Sequence, residues 1–152
     1  MKNLFKFSFF IILLSGCDQG LEPVGTEPVD EEGEIHAQIT YVGEWPDENQ
    51  IYDLRFVAMR FIPESISDFL RLTEMEISNH LNIHVDQEKV ILEEVHNDTF
   101  FYSGVAWQFS NNIFDWRVVG LYEGNGGEFT VRGDIVEIDI VVDFDNLPDF
   151  PP

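Results

Sequence analysis

The chain has one cysteine, Cys17, in 152 residues. A single thiol closes no intramolecular disulfide and builds no cysteine-rich zinc site. Basic residues are almost as scarce, with eight Lys and Arg against 29 Asp and Glu, a formal charge of −21. A chain this acidic offers no electrostatic footprint for a phosphate backbone, which excludes nucleic acid as a partner. Its surface is also repelled by anionic lipid head groups. No apolar run approaches the roughly 20 residues that a membrane span requires. There is no Gly-x-Ser-x-Gly, no phosphate-cradling Gly-rich loop and no Cys–His pair, so the chain reads as noncatalytic and without a cofactor. What it does not lack is core material: 44% of residues are hydrophobic and 14% aromatic, well outside the disordered class.

The first sixteen residues carry Lys2 and Lys6, then the apolar run Phe7 to Leu14, then the small pair Ser15-Gly16. That order of basic, apolar and small residues is a secretory signal peptide over residues 1–16. The segment Leu14-Ser15-Gly16-Cys17 resembles the lipobox of bacterial lipoproteins. The resemblance implies cleavage before Cys17, a diacylglyceryl group on its thiol and three acyl chains in all. One myristoyl chain holds a protein only marginally, and each further buried methylene adds about 0.8 kcal/mol, so anchoring by this route is permanent. The membrane is then a partner through lipid and not through the protein surface. Loss of Lys2 and Lys6 with the leader leaves six basic against 29 acidic side chains, a formal charge of −23.

Residues 17–33 mix Pro23, Pro28 and three glycines with the acids Asp30, Glu31 and Glu32, which reads as an extended, self-repelling tether. Asp18 directly after the cysteine resembles an inner-membrane retention signal of some Gram-negative bacteria, whereas acids at this place favour surface export in others. The long acidic tether favours the outer membrane.

From Glu34 the hydrophobic period is two. Ile35, Ala37, Ile39 and Tyr41 alternate with Glu34, His36, Gln38 and Thr40, the pattern of a half-buried strand. Ile51 to Ile62 is apolar on both faces in its later part, which predicts a central strand. Pro63 to Thr73 predicts at most a short helical turn capped by Ser67. Met75–Val85, Lys89–Val95, Phe100–Phe109, Asp115–Tyr122, Phe129–Val131 and Ile135–Phe144 read as further strands, separated by turn residues such as Gly124-Asn125-Gly126-Gly127. Seven or eight short strands predict a single all-β domain, an antiparallel β-sandwich over residues 34–146 with a tail at 147–152. The opening Gly33 to Pro46, with Phe100-Phe101-Tyr102, Trp116 to Tyr122 and Ile138 to Phe144, is similar to the carboxypeptidase-regulatory-like, or transthyretin-like, sandwich domains of bacterial surface proteins. That likeness implies an Ig-like or transthyretin-like fold and transfers no functional residue.

Three groups remain as candidates for chemistry. His80 and His84 have a spacing that suits two metal ligands on a helix. On the strand expected for Met75–Val85 they lie about 13 Å apart, so they read as solvent-facing. Asp143 and Asp145, with Asn146 and Asp149, form an oxygen-rich C-terminal cluster that is a calcium candidate but lacks the twelve-residue loop. A solvated acidic face that discourages edge pairing is the plainer reading. Among the aromatics, Trp107 reads as buried, and Trp45, beside Pro46 in a turn, as an exposed binding aromatic. The expectation is a noncatalytic lipoprotein presenting a β-sandwich to a protein or glycan partner. A carbohydrate-binding module is the alternative and an envelope hydrolase the second.

Overall fold

The computed structural model describes residues 31–152. The leader, Cys17 and nearly all of the expected tether lie outside these residues. The domain is all-β: β1 (Glu32–Val42), β2 (Asp53–Met59), β3 (Met75–Ile77), β4 (Gln87–His96), β5 (Asp98–Phe100), β6 (Tyr102–Gln108), β7 (Trp116–Leu121), β8 (Phe129–Val131) and β9 (Ile135–Asp143). Seven strands form one sheet in the order β3-β2-β6-β7-β9-β1-β4, and β5 and β8 form a two-stranded ribbon. Among the described residues no helix is long and apolar enough to cross a membrane.

The sheet curls until its two ends face each other, as a barrel-like sandwich. Beyond β3 the chain stays beside β2, with Ser78 N–H donating to Phe56 O and Leu81 N–H to Leu54 O. This extension and β4 face each other across a polar cleft bordered by residues 76–82 and 88–93. The Glu88 carboxylate closes one end of that seam by accepting from the backbone and side chain of Asn82, at 3.2 and 3.1 Å, and from the Tyr41 hydroxyl at 2.6 Å.

The sheet departs from the expected antiparallel arrangement next to its β4 edge, where β1 and β9 run parallel, Ala37 opposite Ile138 and Ile39 opposite Ile140. Both strands alternate as read from the sequence. Ile35, Ala37, Ile39 and Tyr41 of β1, with Ile138, Ile140 and Val142 of β9, enter the interior beside Phe56, Val105 and Val119. Alternation specifies which face is buried but not which strand lies alongside, so the parallel pair is not visible in the pattern.

β2 and β6 are buried on both faces, as expected of central strands. Their second face, with Val57, Met59, Tyr102 and Ala106, packs under Phe69 and Met75 as a smaller outer core. Phe69 belongs to the 3-10 turn Ile66–Leu70. The turn expected in Pro63–Thr73 is therefore present, capped by Ser65 and not Ser67, with Asp68 accepting from the backbone N–H of Glu64 and Ser65. These bonds to main-chain donors hold the Asp68 carboxyl below its ordinary pKa.

Four expected elements differ in extent. The strand expected over Met75–Val85 pairs only as Met75–Ile77. The remainder makes backbone bonds to β2 only through Ser78 and Leu81, and His84 further on has a φ of 57°. Phe100–Phe109 is divided at Phe101, where the chain leaves the β5–β8 ribbon and enters the main sheet. At the termini, β1 starts at Glu32, inside the stretch read as tether. Leu147 packs on the inner core and Phe150 on the outer one, so 147–152 is part of the domain.

One narrow junction holds the sheet together. β7 meets β9 only through Gly120–Val142 and Leu121–Val141. A Cβ on Gly120 would lie 2.7 Å from Val141 O, and one on Gly104, which pairs with Leu121 from β6, 2.2 Å from Gly120 O. Glycine at both positions lets three backbones approach closely enough to join the two halves.

Candidate functional site

The end of the barrel remote from Glu32 is formed by the loops after β1, before β4 and between β6 and β7. Trp45 lies there, half-buried, its ring centroid 4.7 Å from Tyr41, 4.5 Å from Phe144 and 5.5 Å from His84. The chain bends at Gly43, whose φ is 83°, and the indole packs on the interior. The ring expected to stand free for a ligand is thus a lid on the inner core. Trp107, expected in the interior, is also half-buried and donates its indole N–H to Gln50 O at 2.8 Å. Its strand is buried on both faces elsewhere, but position 107 is one residue from the end of the strand, where the barrel mouth opens.

Burial, and then the Glu88 carboxylate that accepts its hydroxyl, push the Tyr41 phenol well above its usual range. Tyr102, on the outer side, is pushed up to about 12 by burial alone. Its hydroxyl and that of Ser103 are buried without a hydrogen-bond partner among the described residues.

Asp143 and Asp145 use their oxygens on the turn after β9. Asp143 Oδ1 accepts from Asp145 N–H at 3.0 Å, and Asp145 Oδ1 from Glu44 N–H at 3.5 Å. Asp145 also lies against Gly43, whose φ is +83°. The sequence pattern thus records a pair of turn-capping carboxylates. Among the described residues no three His, Cys, Asp or Glu side chains are grouped to hold a metal ion.

The two histidines are separated by function as well as by position. His84 packs on Trp45. His80 Nδ1 is 2.6 Å from Asp53 Oδ1, and Arg55 Nη2 is 3.2 Å from His80 Nε2. A guanidinium can only donate, so Nε2 carries the lone pair and the ring proton sits on Nδ1, facing Asp53. Arg55 further donates to Asp53 Oδ2 at 2.7 Å and to Ser78 O at 3.0 Å. This is an Asp–His pair of the kind that orients a catalytic imidazole, but Arg55 occupies the place where a nucleophile would lie. The trio locks β2 to the extension of β3. Sequence reading missed it because Asp53 and Arg55 lie 25 residues or more from His80, and only strand pairing joins them.

No protein-family model, curated protein or solved structure matches the chain. Function must therefore be argued from the residues themselves.

Proposed function

We propose that the chain is a noncatalytic lipoprotein of the cell envelope, anchored through acylated Cys17, which presents its β domain to a protein partner. The observation that carries this reading is Leu14-Ser15-Gly16-Cys17 directly after a basic and apolar leader, with the chain's one thiol at the modification point. The domain geometry supports it. The anchor would enter at Glu32, beside the β5–β8 ribbon, and the loops at the opposite end then point away from the membrane. The outer membrane is the location we propose, with the acidic segment after Cys17 as spacer. Likeness to transthyretin-like modules belongs to the same proposal and rests on the strand patterns alone.

The test is metabolic labelling with a palmitate analogue and detergent phase partitioning of the full chain. Wild type is expected to incorporate label and partition into detergent, and Cys17→Ser to do neither. Unchanged partitioning of Cys17→Ser would defeat the anchor.

A further inference from the structure

The outer core is only half covered. At the end where β2 meets β6 through Met59 and Tyr102, Phe69 and Phe150 lie over it, 5.5 Å apart. Phe69 also stacks on Trp116, 6.1 Å away, and beside it, towards the β6–β7 hairpin, the cover stops and a cleft of 340 Å³ opens with Phe69 as one wall. Its floor is Val57, Met75, Ile77 and Trp116, its polar end is Asp53 with Arg55, and Leu70, Leu72 and Ile113 stand along its rim. Leu72 is 60% exposed, Ile113 57% and Leu70 45%. Three aliphatic side chains around one apolar floor form a contiguous patch, unlike singly scattered surface residues, which need no explanation.

Charge selects the occupant. Arg71, between the two rim leucines, is already paired with Glu74 at 2.6 Å and Asp68 at 3.7 Å. Arg55 is held by Asp53. Asp115, two residues beyond Ile113, is bound by Ser110 and Asn112 and pairs with no cation among the described residues. The border is thus net acidic on a domain that is strongly acidic throughout. A second copy of the chain would bring like charge against like, and an acidic peptide would be repelled in the same way. We infer that this cleft receives a basic segment of another protein, inserting apolar side chains between Leu72 and Ile113 with lysines or arginines flanking them. This deepens the reading of the domain as a protein-binding module and rests on it.

A random twelve-residue peptide library displayed on phage, selected against the full chain, tests the inference. Selected peptides are expected to carry one or two large apolar residues flanked by Lys or Arg. Their binding, followed by fluorescence anisotropy, should weaken at least tenfold in Leu72→Asp and in Ile113→Asp and decline with added salt. Both positions are exposed, so the variants should fold, which circular dichroism checks. Ile91→Asp, on an exposed position of β4, should bind as wild type does. Selection of peptides without basic residues, binding indifferent to both rim substitutions, or failure to enrich any sequence would overturn the proposal. The anchor plays no part in this assay, so loss of the Cys17 reading leaves its result standing.

Discussion

The two halves of the sheet solve the same burial problem differently. In β9, β1 and β4 one face is interior and the other meets water. Val141 is 56% exposed between Ile140 at 1% and Val142 at 0%, with Glu137, Asp139 and Asp143 on the same outward side. In β2, β6 and β7 both faces are buried, and the outer one needs a cover from Phe69, Met75 and Phe150. The first half is specified by alternation within each strand. The second depends on a crossover and a tail that reach it from elsewhere in the chain, and where they stop short the apolar floor is left open. A face that must be covered by non-local segments is the face on which a partner can complete the cover.

The junction between the halves should be the most sensitive point. Gly120→Ala places a methyl 2.7 Å from Val141 O, a backbone oxygen that cannot move without separating β7 from β9. We expect a loss of about 3 kcal/mol or more, read as a collapsed midpoint in urea denaturation. Near-wild-type stability would show that the halves are not joined through this contact.

The covered and uncovered faces should then separate clearly. Phe69→Ala removes a buried ring stacked 6.1 Å from Trp116 and should cost about 3–5 kcal/mol. Val141→Ser, an apolar residue on the solvent face of β9, should stay within about 0.5 kcal/mol. Equal effects would mean that the outer core is not a real core.

The two buried tyrosines sharpen the contrast at a smaller scale. Tyr41 donates to Glu88 inside the seam, so Tyr41→Phe should cost about 1 kcal/mol at neutral pH. Tyr102 has no partner for its hydroxyl among the described residues, so Tyr102→Phe should be neutral or slightly stabilising. Both phenols are raised above the unfolded value of about 10, which favours the protonated form in the folded state. Their contribution is full below pH ~10 and declines as pH rises beyond it. Unfolding midpoints measured between pH 8 and 12 should therefore fall with alkalinity, and each Tyr→Phe substitution should flatten part of that fall. A fall that neither substitution alters would assign it to general repulsion among the acidic side chains.

Much of this was legible in the chain itself. The period of two in Ile35–Tyr41 and Val136–Phe144 set the inward residues correctly, because a strand turns every second side chain to the same face whatever lies beside it. The two-faced apolar run in Ile51–Ile62 marked β2 as central for the same reason. Reading was weakest where one residue's environment is supplied by another segment. Trp45 was expected to stand free because a turn beside Pro46 lies at the surface, yet Tyr41 of β1, Phe144 just after β9 and His84 from the loop before β4 converge there. Trp107 was expected inside because its strand is apolar on both faces, yet it lies at the barrel mouth. The stretch Pro63–Thr73 had no clear period, and it proved to carry both the cover of the outer core and the rim of the cleft.

The sequence by itself determined the all-β class, the inward face of each regular strand, the acidity that limits the choice of partner, and the expectation of acylation at Cys17. These follow from local period, composition and a short contiguous motif. Only tertiary structure decided that β1 runs parallel to β9, that Asp53, Arg55 and His80 meet, that Asp143 and Asp145 cap a turn, and that an apolar cleft remains open between Leu72 and Ile113. Each of those depends on strand order and on how far a cover extends, and neither is written in the spacing of neighbouring residues.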